Sequence, residues 1–237
     1  MSCSEIVNLF VSIVSIFISV KALCQTNKQI SLSNKQQLFD RRLSRFIEFN
    51  TIYSLYTDNK LYLKKADTFY GCNDLIFTWL TNCSDLEEMA LVMSKPLHQE
   101  EQKIFLTKYE KLKASAVEIS MIFDGETAEI GEAFVSAFAD LLKAMYKQQV
   151  YISTLKEQEK KDGIPLELEN YEKNCTEMAE SLGLFELCVK LETLDNKIIE
   201  KRIVENMKNS LCYFTHLATV LASMPYNCAI WYMLAPD

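Results

Sequence analysis

The chain has 237 residues, 49% of them hydrophobic and 24% charged, with a net charge of −7. That apolar share excludes a disordered chain, and the acidic balance excludes nucleic acid as the main partner, because phosphate binding needs a basic surface. Five Gly and four Pro stand where average usage gives roughly 17 and 12, too few for the turns of a β-sandwich or barrel, so an all-α helical bundle is the expected fold class.

Ile6 to Leu23 is an 18-residue apolar run with one charge, Lys21. Its length is at the lower edge of what spans a bilayer. Ile6, Leu9, Phe10, Ile13, Val14, Phe17 and Ile18 are the expected membrane-spanning side chains. Asn8, Ser12, Ser15 and Ser19 dilute the run, but hydroxyls can bond back to the helix backbone, so the cost is tolerable. Three readings compete: a cleaved signal peptide, a buried core helix and a signal-anchor. A cleaved signal needs a basic start and a small-residue cleavage site. Here the start carries Glu5 and no Lys or Arg, and Leu23 stands before Cys24. The signal-anchor is the expectation, with the buried core helix as its alternative.

The charges behind the run predict its direction. Lys21, Lys28, Lys35, Arg41 and Arg42 follow it, and no basic side chain precedes it. Positive charge stays in the cytoplasm, so the N-terminus should face out and the bulk of the chain in. The expected division is residues 1–25 as a transmembrane signal-anchor helix, 26–37 as a polar basic neck and 38–237 as a cytoplasmic helical bundle. Lys28, Lys35, Arg41, Arg42 and Arg45 are candidate contacts for anionic lipid headgroups, or charges that do no more than set topology. The eight Cys contain no Cys-x-x-Cys pair and are expected as reduced, mostly buried thiols. Two glycosylation patterns, at Asn82 and Asn174, would go unused in the cytoplasm.

The polar segment Gln25–Gln37 has no Gly or Pro, so the anchor helix can run on through it. Leu38, Phe39, Leu43, Phe46, Ile47, Tyr53 and Tyr56 then recur at helical spacing, and Thr57-Asp58-Asn59-Lys60 is the expected joint. An apolar helix, a Gln/Asn-rich neck, Gln29-Ile30-Ser31-Leu32 and Leu38-Phe39-Asp40-Arg41-Arg42-Leu43 together resemble a loose group of bacterial single-pass membrane-anchored helical proteins. The resemblance covers about the first 55 residues, and it implies an anchored helical architecture without an activity to carry over.

Leu61 to Leu80 is apolar but irregular, broken near Gly71. Ser84-Asp85-Leu86-Glu87 has the capping-box pattern and should open a short helix to about Met93, which Lys95-Pro96 stops. The middle of the chain has the clearest period. Phe105, Tyr109, Leu112, Ala116, Ile119 and Phe123 form one apolar stripe, and Asp124-Gly125-Glu126-Thr127 is a turn and cap. A second stripe runs Ile130, Phe134, Ala137, Leu141, Ala144, Gln148, Tyr151 and Leu155, and ends at Asp162-Gly163-Ile164-Pro165. Two long helices joined by a short turn should pack as an antiparallel hairpin.

Pro165 suits the first turn of a further helix, closed by Gly183. Leu184 opens one long stripe through Leu187, Leu191, Leu194, Ile198, Ile203, Met207, Leu211, Phe214, Ala218 and Leu221. Asn209 to Pro236 contains no Asp, Glu, Lys or Arg. A buried core helix and a membrane-inserted or peripheral segment both stay open for it.

The search for chemistry returns little. Five scattered Gly cannot build a phosphate loop. His98 sits beside Glu100 and Glu101 and reads as a solvated surface residue, and His216 as a core His bonded to backbone. Glu126, Glu129, Glu132, Glu167, Glu169 and Glu172 lack the Glu-x-x-His companion of a helical di-metal site. No catalytic, metal, cofactor or small-molecule site is expected. The expectation is a non-enzymatic, membrane-anchored interaction module, a sensor, adaptor or assembly partner. Its partners would be the membrane, through the N-terminal helix, and another protein or a second copy. The alternative is an effector that oligomerises and permeabilises the bilayer.

Overall fold

The computed structural model describes residues 3–64, 99–163 and 168–211, with Glu88, Met89, Val92 and Leu97 between them. The described residues are helical, with no strand among them. The elements are α1 (Cys3–Lys64), α2 (Gln99–Ile122), α3 (Gly125–Asp162), α4 (Leu168–Ser181), α5 (Leu184–Glu200) and α6 (203–211). Met1–Arg41 falls in one unit and Arg42–Tyr213 in a second. Of the short helix expected from Ser84 to about Met93, Glu88, Met89 and Val92 are described and are helical; its other residues, the irregular Leu61–Leu80 stretch beyond Lys64, and the segment after Leu211 lie outside the described residues, as do His98 and His216.

In the first unit α1 is helix without interruption from Cys3, as the missing Gly and Pro foretold. In the second unit it continues to Lys64, through the joint expected at Thr57–Lys60. The reason is local. Thr57 Oγ1 donates to the Ser54 carbonyl at 2.9 Å and Asn59 Nδ2 to the Leu55 carbonyl at 2.8 Å. These side chains bond back onto their own helix instead of capping a new one. Leu55, Tyr56 and Leu63 are buried on either side of them, so packing holds the helix through the polar patch.

The core of the second unit is the α2–α3 hairpin. Phe105, Tyr109, Leu112, Ala116, Ile119 and Phe123 are all buried. On α3, Phe134, Ala137, Leu141, Ala144 and Gln148 are buried, while Ile130, Tyr151 and Leu155 are half-buried. Phe105 and Tyr146 stack across the hairpin with ring centroids 4.1 Å apart. Gly163, at φ 66°, ends α3 in the left-handed conformation that glycine adopts without a Cβ penalty. Asp124 has the extended backbone of an N-cap residue, yet its side chain makes no cap hydrogen bond.

Around this hairpin pack α1, α4, α5 and α6. The contact with α1 is aromatic: Phe134, fully buried, meets Phe49, Tyr53 and Tyr56 in T-shaped contacts at centroid distances of 5.9, 5.6 and 5.5 Å. The sequence stripe on α1 missed its most buried members, Phe49 and Ile52, and included Ile47, which is exposed.

The long final stripe is not one helix. α5 stops at Glu200, Lys201 and Arg202 form a turn, and α6 begins at 203. The cause is visible in the spacing. Steps of four, three and four link Leu187, Leu191, Leu194 and Ile198, but Ile203 is five residues further on, about 140° off the stripe at 100° per residue. Breaking the helix brings Ile203, Met207 and Leu211 back into the core, where all three are buried.

Candidate functional site

Two features of α1 stand out: an exposed apolar segment and a set of polar clamps. Ile6 and Leu9 lie in the helix. Phe10, Ile13, Val14, Phe17 and Ile18 are exposed, and the most apolar 18-residue window of the helix is 0% buried. Together with Val11, Ile16, Val20 and Leu23 that makes nine large apolar side chains open to the surroundings. Left in water they would forgo on the order of 10 kcal/mol of burial. The hydroxyls within the run are satisfied locally: Ser12, Ser15 and Ser19 donate to the carbonyls of Asn8, Val11 and Ser15 at 2.8–2.9 Å. From Ile6 to Leu23 the rise is about 27 Å, close to the hydrocarbon thickness of a bilayer. α1 is long and apolar enough to cross a membrane.

The five basic residues flagged behind the run divide between the units. In the first, Lys35 and Arg41 are exposed and Lys28 is half-buried. In the second, Arg42 and Arg45 are built into the bundle. Arg42 pairs with Asp124 at 3.6 Å, and its guanidinium lies 5.9 Å from the Phe123 ring centroid. Arg45 donates to Glu48 and, at 2.9 Å, to Ser115 Oγ, and its Nε lies 3.0 Å from Glu118. Ser115 Oγ in turn donates to Glu48 at 2.8 Å. One cation shared by two carboxylates and a buried hydroxyl ties α1 to α2.

A second clamp ties α1 to α5. Asp195 is buried. Its Oδ1 accepts from the Tyr53 hydroxyl at 2.9 Å and its Oδ2 from Lys60 Nζ at 3.2 Å. Burial, the bond to Asp195 and its negative charge all push the Tyr53 phenol well above its ordinary pKa. Burial, then Asp195 and Glu192, do the same to Tyr56. Both oxygens of Asp195 accept hydrogen bonds and its phenol partner is held protonated, which suits a structural clamp. A third network joins α2 to α3. Lys113 reaches Ser136 at 2.6 Å and Asp140 at 3.2 Å, and the Tyr109 hydroxyl donates to Asp140 at 3.0 Å. Burial, then that bond, moves Tyr109 up to about 12.

None of these clamps was identified from the sequence. The available signal is polar residues standing on apolar stripes: Ser115 beside Ala116, and Asp195 four residues after Leu191. Such positions demand a buried partner, but nothing local says which. Cys24, Cys175 and Cys188 are free thiols, respectively exposed, buried and half-buried. Burial pushes the Cys175 thiol up, which makes it a poor nucleophile. Among the described residues no group of three or more His, Cys, Asp or Glu is arranged to hold a metal ion.

The fold and these contacts define an all-α protein in which, among the described residues, one helix is long and apolar enough to cross a membrane. No family model, no curated protein and no solved structure matches the chain.

Proposed function

We propose that this chain is a membrane-anchored α-helical interaction module, with α1 as a signal-anchor, its N-terminus outside and the bundle in the cytoplasm. The reading assigns it a binding role, toward another protein or a second copy, and no reaction. One observation carries it: the apolar segment of α1 is exposed from Phe10 to Leu23. A buried core helix, the competing reading of the sequence, would have its apolar side chains covered. The orientation is supported by Lys21, Lys28 and Lys35 following the segment. The clamps at Arg45 and Asp195 support a bundle ready to present a fixed surface.

The test is fractionation of the full-length chain, followed by protease treatment of sealed vesicles. The expected chain resists alkaline extraction from membranes, and residues beyond the neck are cut only from the cytoplasmic side. Recovery of the full-length chain in the soluble fraction without detergent would sink the proposal. A pull-down with and without residues 1–24 then tests whether partners are recruited at the membrane.

A further inference from the structure

Ile16, Leu23 and Ile30 stand seven residues apart on α1, and Val11, Ile18, Gln25 and Leu32 do the same. Except for Gln25 these are large aliphatic side chains, and all are exposed. Seven residues fall only about 20° short of two helical turns, so each set forms a row along the helix. Between the two rows run Ser12, Ser15, Ser19, Ala22 and Thr26, at steps of three and four. From Val11 to Val20 only these positions depart from Val, Ile and Phe. Their side chains are small, and the four hydroxyls are turned onto carbonyls of their own helix. The result is a shallow, exposed groove with a floor of small residues and two aliphatic walls. Phe10, Phe17 and Ser31 lie on the opposite side of the helix, about 180° away.

We infer that this groove receives α1 of a second copy of the chain, in parallel, an inference that rests on the anchoring proposed above and names the partner. The walls outrun the bilayer. Ile30 and Leu32 are 53% and 43% exposed among Gln29, Ser31 and Ser33, and they begin about 10 Å past Leu23. Acyl chains that cover Ile16 and Ile18 end short of them, whereas a second helix covers all four. The period points the same way. Lipid imposes no spacing on a helix, but two helices that wind around each other keep a seven-residue row at their contact. Charge selects a second copy. Parallel copies set each residue opposite its counterpart, which a charge would oppose, and the walls and floor carry none. Lys21, Lys28 and Lys35 stand about 120° from the groove axis. The floor continues through Gln29, Ser33 and Gln36 to Asp40, whose charge ends the contact. Asn8, on the same floor, is exposed, and its amide finds both a donor and an acceptor in the Asn8 of the other copy. The small floor lets the two backbones approach closely, so that the walls of each pack on the other.

The test places a genetically encoded photo-crosslinking amino acid in the full-length chain in phosphatidylcholine vesicles. It stands at Ile18 or Leu32, in one wall, or at Phe17 or Ser31, on the opposite side. Irradiation should join two copies several-fold more often from Ile18 and Leu32 than from Phe17 and Ser31. Ser15→Leu combined with Ser19→Leu fills the floor while keeping the segment apolar, and should abolish that excess. Phe10→Leu combined with Phe17→Leu, on the far side, should leave the excess at Ile18 unchanged. Equal yields from the two sides would overturn the inference, as would an excess that survives the double serine variant. Crosslinks to phospholipid alone would overturn it in favour of lipid. Crosslinks in native membranes that join the walls to a different protein, and none to a second copy, would overturn it in favour of that partner. A chain that floats with the vesicles yet yields no paired copies refutes this inference alone. A chain that does not float refutes the anchoring reading and takes this inference with it.

Discussion

Tyr53 and Asp195 are separated by 142 residues and meet at 2.9 Å, the phenol donating to the carboxylate. The carboxylate is buried, and its second oxygen is held by Lys60 at 3.2 Å. Each partner has an apolar neighbour: Tyr53 stacks on Phe49 at 6.0 Å, and Asp195 follows the buried Leu194. Asp195→Ala should therefore leave a phenol and an ammonium without their acceptor, costing about 2–3 kcal/mol. Lys60 is one-third exposed, which keeps the loss below that of a fully buried pair. Tyr53→Phe should cost about 1.5 kcal/mol, and the double variant less than the sum. Urea unfolding of the full chain in detergent measures all three. A double variant whose loss equals the sum would show that the two side chains do not act as a pair.

The tyrosines give the bundle an alkaline limit. Tyr109 is raised to about 12, chiefly by burial and then by its bond to Asp140. A group whose folded pKa lies above its unfolded value of about 10 adds stability that is complete below pH 10. That contribution is lost as pH rises through about 12. Tyr53 and Tyr56 shift in the same direction and steepen the loss. Thermal unfolding should be insensitive to these groups between pH 7 and about 9 and fall off above about 10. Tyr109→Phe should make that fall shallower. An unchanged alkaline slope in this variant would count against the assignment.

How much of this was legible in advance depended on the distance over which each feature acts. The α2–α3 stripes and the stops at Gly163 and Gly183 are local, and periodicity and backbone freedom wrote them into neighbouring residues. The Thr57–Lys60 joint failed because Thr57 and Asn59 bond back to their own helix, a choice set by burial of Leu55 and Tyr56 against distant elements. On α1 aromatic residues occupy more than one side, so spacing alone did not separate Phe49 and Ile52 from Ile47. The clamps at Arg45 and Asp195 join α1 to residues 67 to 142 positions away, and no local pattern encodes such pairing. The break before Ile203 is written in the sequence as a five-residue step, which a stripe of apolar residues by itself does not reveal.

Arg202 sits at that break with φ 50°, the one non-glycine residue at positive φ among those described. A side chain there costs roughly 1–2 kcal/mol through the crowding of Cβ against the following carbonyl. Its partner Glu205 is 3.9 Å away and both side chains are largely exposed, so the ion pair offsets little. Arg202→Gly should raise the unfolding free energy by about 1 kcal/mol after the extra chain entropy of glycine is subtracted. Arg202→Val should lower it. Paired melting curves decide the matter. A glycine variant less stable than the parent would mean that the arginine side chain holds the turn.

Gly131 marks a close approach of α3 to side chains of α2 and α6. A Cβ built there would stand 2.6 Å from Met207 Cε and 3.0 Å from Ile119 Cγ2. Glycine inside a helix costs about 1 kcal/mol relative to alanine, so its presence in α3 is a concession to the neighbours. Met207 Cε is the end of a flexible side chain and can step aside, whereas the branched Ile119 is stiffer. Gly131→Ala should therefore come out near neutral, within about 1 kcal/mol, as helix propensity offsets the squeeze. Gly131→Leu cannot be absorbed by one methyl group. It must push Met207 and Ile119 apart and should cost about 3 kcal/mol or more, with α6 displaced first. Hydrogen exchange of residues 203–211 reads that displacement directly, as faster exchange there than in α2. Faster exchange across the whole bundle, with α6 no different from the rest, would mean that Gly131 supports the core as a whole and not the seat of α6.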